Sequence, residues 1–578
     1  MGYAAKLADR MNTRFLNPTR ALYSLLAVCS LLALPGARLD AQRVLGSDMA
    51  GDAVTIPRGT LRVSIGGEHT IQRDRWRDGT LEPLGAGFSF TSLGPAQLAV
   101  LGPMQQSIRD LGVADFSASL GTTDLDLRQR IFVTPFSVEL GVTEWLTFGV
   151  TAPLVRSRSE ANFTIDGTNA TVGLNPFFLG SAVPTANRTT IDRFTSAASS
   201  LTARRNACLA NAAAFPDCPT IIAEAAQVNA LISGTSTFAG RLRATYGALG
   251  GPTPAAYVPL AGSAAALALR ARVDSLRAAF TRYGVGDITA ATGLPLGAQA
   301  PLAAGDLARL VRDSVSGYGA RELSGSARIN IGDVDVDMKL KLFDSFGGRG
   351  ASATDARLTA NRFGIRQSVG ATFRLGSGTP GAPGDFLDLG TGTGENAVGV
   401  RSYTDVVLNS RLWSTFVLGW SQALGEIAVI RVPSVMGDQL LESWREVLAP
   451  VTHGSVIQIE AAPRYQLNDY FGVGGYWGYR QRSADRYTVL SMAGAVPAAA
   501  GIVTLDLPGM LSANASTEQR AGFSVVFSTL AAKAQGRVPA GFELVWSHQQ
   551  SVTSGEGIVP KRWEDRLQIR YYTRLFGR

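Results

Sequence analysis

From Phe136 to Val155 the chain reads FSVELGVTEWLTFGVTAPLV. Phe136, Val138 and Leu140 alternate with Ser137 and Glu139, and beyond a break Leu146, Phe148 and Val150 alternate with Thr147, Gly149 and Thr151. A period of two puts the apolar side chains on one face of a strand and the small or polar ones on the other. The stretch therefore predicts a hairpin that turns at Thr143-Glu144. The apolar face meets either a protein core or lipid, and the rest of the chain decides between them.

The pattern recurs along the chain. Leu61, Val63 and Ile65 begin a first strand; a loop rich in Gly and Asp follows to about Thr123. The second strand opens with Leu125 and Leu127 in one phase and ends with Phe136, Val138 and Leu140 in the other, so a bulge is expected near Pro135. In IGDVDVDMKLKL, Val334, Val336, Met338, Leu340 and Leu342 share one face; Asp333, Asp335, Asp337, Lys339 and Lys341 share the other. The next strand sets Phe363, Ile365, Val369, Ala371 and Phe373 against Arg362, Arg366, Thr372 and Arg374. Further tight turns fall at Asn409-Ser410 and Asn468-Asp469. With Thr143-Glu144, each has an aromatic close behind: Trp145, Trp413, Tyr470 and Phe471. Aromatics at one depth are what a membrane interface selects. The opposite connections, such as Arg75–Thr123, Gly376–Gly394, Pro433–Gly454 and Ser491–Ser516, are long. Twelve strands are expected, an even number with both termini on the short-turn, periplasmic side.

Between about Asn162 and Ser324 the period changes. Leu269, Val273, Leu276, Phe280 and Tyr283 form a helical stripe that Gly284 ends; Asp306 is expected to cap a helix carrying Leu307, Leu310 and Val311; Ile191, Phe194 and Leu201 mark another. These predict three or four helices inserted over residues 183–322, between the third and fourth strands on the extracellular side, as a cap or a plug. The fold class expected is an antiparallel all-β transmembrane barrel with an α-helical insertion.

The N-terminus points to export. Lys6, Arg10, Arg14 and Arg20 precede the apolar run Ala21–Leu34, and a small residue ends at Ala41, giving a signal peptide over 1–41 and a mature barrel over 42–578. A membrane anchor would need a longer apolar run. Beyond it no apolar stretch approaches a spanning helix of about 20 residues. The two cysteines of the mature chain, Cys208 and Cys218, can form a disulfide after export; a reduced pair is the alternative.

Charged residues make up 17% of the 578, with 64 Gly, a composition unlike that of a charged, helix-rich cytosolic enzyme. The net charge of +8 is spread over alternating strand positions with no dense basic and aromatic cluster, so nucleic acid is not an expected partner. The expected partners are outer-membrane lipid, a small-molecule solute and the barrel-assembly machinery; the expected location is the cell outer membrane.

Candidate chemistry is sparse. Asp333, Asp335, Asp337, Lys339, Lys341, Arg362, Arg366 and Arg374 would line the lumen, either tuning which solutes enter or pairing across neighbouring strands at roughly 0.2–1 kcal/mol per pair. Gly390-Thr391-Gly392-Thr393-Gly394 lacks the strand-to-helix setting of a nucleotide loop and reads as a flexible outer loop. His69, His453 and His548 are far apart, without metal-ligand spacing. Ser547 and His548, as neighbours in a strand, point to opposite faces and make no hydrolase pair. No cofactor is expected and the chain is read as no enzyme.

Three stretches resemble an outer-membrane family described as phenol-degradation MetA-pathway proteins. They are LGVTEWLTFGVTAPLV; INIGDVDVDMKLKLF, with Gly332, Asp333 and Lys339; and LDLGTGTGEN, Leu387–Asn396. The resemblance implies a channel or transporter for aromatic or other hydrophobic compounds. A structural or adhesive barrel without transport is the alternative, and an outer-membrane hydrolase a third.

Overall fold

A computed structural model describes residues 51–576, except 181, 287, 289–293, 347–362, 433–439, 488–490 and 493–513. The predicted signal peptide and Arg362 lie outside the described residues. Alternation becomes a closed wall of 12 strands. In chain order these are β1 (Thr60–Arg77), β2 (Thr122–Gly141), β3 (Leu146–Asp166), β4 (Val334–Asp344), β5 (Gly364–Leu375), β6 (Ala397–Val407), β7 (Leu412–Ala423), β8 (Val456–Gln466), β9 (Phe471–Arg482), β10 (Ser516–Ser528), β11 (Gly541–Thr553) and β12 (Ile558–Arg574). Each pairs antiparallel with its sequence neighbour, and β12 closes on β1. Closure leaves no strand edge unpaired, the condition for a sheet in hydrocarbon.

Phe136, Phe148, Phe416, Trp477, Phe523 and Trp546 point out of this wall and have no protein over them. An apolar surface wrapping a whole barrel is untenable in water and fits lipid. Inward positions are small or polar: Ser137, Thr147 and Thr151 are buried. No helix among the described residues is long and apolar enough to cross a membrane. The fold is a transmembrane β-barrel.

The three tight turns share one construction. Val142 and Thr143 donate to the Leu146 carbonyl, Leu408 and Asn409 to Leu412, and Leu467 and Asn468 to Phe471. Asn409 Oδ1 accepts from the Arg411 and Leu412 N–H groups, and Asn468 Oδ1 from Tyr470 and Phe471, at 2.9 Å each. Short polar side chains that bond the backbone two residues on are why these words turn. Trp145 and Phe471 face outward as an interface requires, but Trp413 turns inward and packs on Phe346 and Val407.

No bulge interrupts β2: its ladder to β3 runs unbroken from Thr122↔Asp166 to Gly141↔Thr147. What changes near Pro135 is the surroundings. β1, β2, β3 and β12 hold 18, 20, 21 and 17 residues, against 11 to 13 for the other strands. The long four rise beyond the membrane, where water lies outside and protein fills the inside. Apolar residues therefore move to the inner face: Leu125, Leu127, Ile131 and Val133 are buried there. A register shift does occur in β4, between Lys341 and Phe343. It exposes Leu342 and Phe343 together and turns Asp344 inward.

A helical region, here called the cap, packs against the inner face of the tall wall. The β1–β2 connection holds a helix not foreseen in the sequence, α1 (Leu101–Asp110). Among the described residues the β3–β4 connection holds α2 (Ala182–Ala210), α3 (Cys218–Ala223), α4 (Ala225–Tyr246), α5 (Ala264–Arg282) and α6 (Ala304–Arg312), one more than the largest number expected. Asp306 is not the cap residue of α6. It lies in the first turn, and its carboxylate accepts from the Ala303 N–H at 2.9 Å. One hydrophobic core joins Ile108 of α1, Phe194 and Leu201 of α2, Phe238 of α4, Phe280 of α5 and Leu310 of α6 to Leu125 and Leu127 of the wall. Leu387 and Leu440, from the β5–β6 and β7–β8 connections, complete it. Cys208 and Cys218 are disulfide-bonded, tying the end of α2 to the start of α3.

Candidate functional site: the lumen

The lumen is entered from the short-turn end by the chain itself. Residues 51–58 precede β1 and run into the barrel rather than away from it. The Ile56 N–H donates to Thr147 Oγ1 at 2.8 Å, the Ala53 N–H to Asp405 Oδ1 at 3.2 Å, and Lys339 Nζ to the Asp52 carbonyl at 2.8 Å. Ala53 is fully buried among Tyr403, Val417, Ala462 and Tyr476, which come from β6, β7, β8 and β9. At the mouth, a Cβ on Gly141 would stand 2.2 Å from the Pro57 carbonyl oxygen, so only glycine lets the segment pass. This stopper is a site residue set that periodicity could not reveal: its residues have no face, only partners.

Around and above the stopper the wall carries paired charges. Arg374 forks onto Asp335 at 2.8 and 2.9 Å, and Thr372 Oγ1 donates to Asp337 at 2.6 Å. Arg366 reaches Asp344 at 3.3 Å, beyond the β4 shift, rather than one of the expected acids. Lys341 lies 4.0 Å from Asp344. Lys339 also sits 4.4 Å from the centre of the Tyr403 ring. To either side of these, Arg62 grips Glu139 at 2.5 and 2.6 Å, and Arg401 donates to Gln458 at 3.1 Å. Arg62, Glu139, Arg401, Tyr403 and Asp405 were not singled out in the sequence, because a polar residue on a strand signals its face but not its partner on another strand. What remains open among Arg62, Glu139, Asp337, Lys339, Arg401 and Tyr403 is a cavity of about 70 Å³.

Asp333 has a different role from its neighbours. It lies at the break between Ser326–Ile331, which pairs with upper β3, and β4. Its carboxylate accepts from the Gly378 and Thr393 N–H groups at 2.8 Å, from Gly394 at 3.3 Å and from Thr393 Oγ1 at 3.0 Å. The Gly-Thr-rich loop is thus folded inward and pinned, not a flexible outer loop. A Cβ on Gly392 would sit 2.7 Å from the Asp333 carboxyl carbon, which explains the glycine. Leu389 of this loop packs on Ile131, Val133 and Val155, and Ser159 Oγ donates to the Leu387 carbonyl at 3.0 Å. Two of the three sequence words noted above are therefore halves of one contact.

At the rim His453 joins three connections. Its ring nitrogens lie 2.9 Å from Glu395 of the β5–β6 connection and 2.9 Å from Asp485 of the β9–β10 connection. Burial alone would lower its pKa, but the hydrogen bonds to Asp485 and Glu395 outweigh that and raise it to about 9. His69 and His548, distant in sequence, both lie opposite Asp565 on the outer wall, with His548 Nδ1 3.0 Å from its carboxylate. Ser547 is buried on the inner side, facing away from His548. Among the described residues no group of three or more His, Cys, Asp or Glu is arranged to hold a metal ion.

Fold and site together define the class: a transmembrane β-barrel with a polar lumen, stoppered by residues 51–58 and with a helical region packed on its upper inner wall. No family model and no curated protein matches the chain. Solved structures that overlap it include an outer membrane channel from Pseudomonas putida F1, at 8% identity over 92% of this chain and 100% of that one, TM-score 0.39. A Pseudomonas aeruginosa FadL homologue overlaps at 7% identity over 94% and 100%, TM-score 0.27. The Pseudomonas putida toluene transporter TodX does so at 8% over 93% and 100%, TM-score 0.23. Likeness at this level carries no argument about this chain, and the barrel stands on its own closed ladder.

Proposed function

We propose that the protein is an outer-membrane channel for small hydrophobic or aromatic compounds, closed at rest by residues 51–58. The observation that carries the reading is the stopper. The three backbone-segment hydrogen bonds above, from Lys339, Asp405 and Thr147, hold it. At roughly 0.5–1.5 kcal/mol net for the bond to Thr147 and about 1.5–3 kcal/mol for each one to charged Lys339 and Asp405, such bonds can be exchanged for water. The residual cavity of about 70 Å³ is about half the roughly 150 Å³ known to hold one benzene ring. An aromatic solute therefore has to displace the segment.

The substrate class rests on the motif resemblance and on Tyr403 and Tyr476, whose rings line the stopper's seat beside paired charges. A ring with one polar substituent suits such a surface better than a bare hydrocarbon. Export by the signal peptide, insertion by the barrel-assembly machinery and an extracellular cap belong to the same reading. A structural barrel without transport is the second reading, favoured by the pairing of lumen charges between neighbouring strands. Replacing residues 51–58 by a Gly-Ser segment and measuring swelling of proteoliposomes in phenol separates the two. The channel reading expects faster swelling than with the intact chain; equal, negligible swelling for both proteins would overturn it and leave the structural barrel.

A further inference from the structure

The outer face of the tall wall changes character abruptly. Going up β2 the outward residues are Leu140, Val138, Phe136, Thr134 and Phe132, then Arg130 and Arg128. Going up β3 they are Phe148, Val150, Ala152 and Leu154, then Arg156 and Arg158. Cross-strand pairing fixes the level: Thr134 is opposite Leu154, Phe132 opposite Arg156, Arg130 opposite Arg158, and Arg128 opposite Glu160. The apolar run Leu140–Phe132 covers about 27 Å of strand, or about 20 Å of height at barrel tilt, close to one outward apolar band. The arginines thus begin where hydrocarbon ends.

Arg130 and Arg158 stand directly opposite each other. Like charges so placed repel. Glu160 is the acid between them, 3.2 Å from Arg130 and 3.3 Å from Arg158. Arg156 is exposed and has no ion pair or hydrogen bond among the described residues. The next acids on these two strands, Asp126 and Asp124, lie one and two rows higher, opposite Asn162 and Thr164; Asp565, two strands from Phe132 and level with it, faces His69 and His548. Arg130, Arg156 and Arg158 beside the single carboxylate of Glu160, touching an apolar wall that continues into Ile331 beside Leu154, complement an amphiphile with an anionic head and acyl tails. Guanidinium forks match phosphate oxygens.

We propose that Arg130, Arg156 and Arg158 form a docking surface for the phosphorylated headgroup of a glycolipid in the leaflet on the cap side. Its acyl chains lie along Phe132 and Leu154. The inference rests on the membrane orientation given under Proposed function, but not on transport.

The test uses the full-length protein in detergent and, as probe, a glycolipid carrying two phosphate monoesters. Its dephosphorylated form and inorganic phosphate serve as comparisons. Lipid adducts are read by native mass spectrometry, and folding by the shift in gel mobility between heated and unheated samples. Arg156→Gln, which breaks no internal ion pair, should weaken retention about fivefold. The Arg130→Gln/Arg156→Gln/Arg158→Gln variant should weaken it further, and the dephosphorylated lipid should bind poorly to the unaltered protein. Undiminished retention by folded Arg156→Gln would overturn the proposal, as would displacement of the lipid by millimolar inorganic phosphate, which would make the site one for a free anion. If the triple variant does not fold, the single variant decides. Loss of lipid with unchanged solute swelling, or the reverse, separates this surface from the channel.

Discussion

Phe148 and Thr147 are adjacent and have opposite fates. Phe148 stands outward at 47% exposure, between Leu140 and Met338 on the neighbouring strands, while Thr147 is buried and holds the stopper. Phe136 faces outward half-way up the same apolar run, so Phe136→Arg should cost about 2–4 kcal/mol of barrel stability, whereas Phe148→Arg, at the lower edge of the run, should cost about 0–1 kcal/mol. Refolding into vesicles, followed by denaturant titration, measures both, and a Phe136→Arg variant as stable as the parent would contradict the outward placement. Asp333 illustrates the opposite lesson. Alternation assigns it correctly to the polar face, together with Asp335 and Asp337. Only the folded chain reveals that Asp333 accepts from the backbone of a distant loop while Asp335 binds an arginine on the adjacent strand.

Elements are held to one another by a few polar joints. His453 carries its proton at neutral pH because Asp485 and Glu395 flank it, and its pKa is raised from 6.5 to about 9. A group whose folded pKa exceeds its unfolded one contributes stability fully below the unfolded value, about 6.5, and loses it as pH rises through the folded value. The three rim connections should therefore be protected from proteolysis at pH 6 and become susceptible between pH 7 and 10. In His453→Gln that pH dependence should disappear; an identical pH profile in the variant would remove His453 as its source. The Cys208–Cys218 bridge closes a separation of 10 residues. Loop closure of that size is worth about 2–3 kcal/mol, so Cys208→Ser should lower the stability of the cap by that amount under oxidising conditions. Helical circular dichroism followed against urea reads it. Reducing the parent protein should produce the same shift.

Over the whole molecule, two structures share one wall. The barrel ladder closes through β12 and β1 without using any residue of the helical insertion, whereas the cap core borrows Leu125, Leu127, Leu387 and Leu440 from the barrel and its connections. Deleting Asn187–Tyr318 should leave a heat-modifiable barrel with its β-sheet circular dichroism and remove most of the helical signal. The stranded leucines should then bind a hydrophobic dye. Loss of the barrel itself would mean that the cap is needed to close it.

Some of this was decided by local sequence alone. Alternation with period two specifies each strand and its lipid face, short Asn- and Thr-led words specify the turns, and apolar spacing of three and four marks α2, α5 and α6. These signals survive reading in isolation because each depends on residues within one element. Others depended on what lies across space. Leu125 and Leu127 alternate exactly as lipid-facing residues would, and only the cap behind them makes their face the inner one. Residues 51–58 carry no period at all. They became the stopper because Gly141 leaves room for their backbone and Lys339, Asp405 and Thr147, from three separate strands, converge on it. A strand's periodicity determines which solvent each side chain prefers; which partner fills the lumen is settled only when the wall closes.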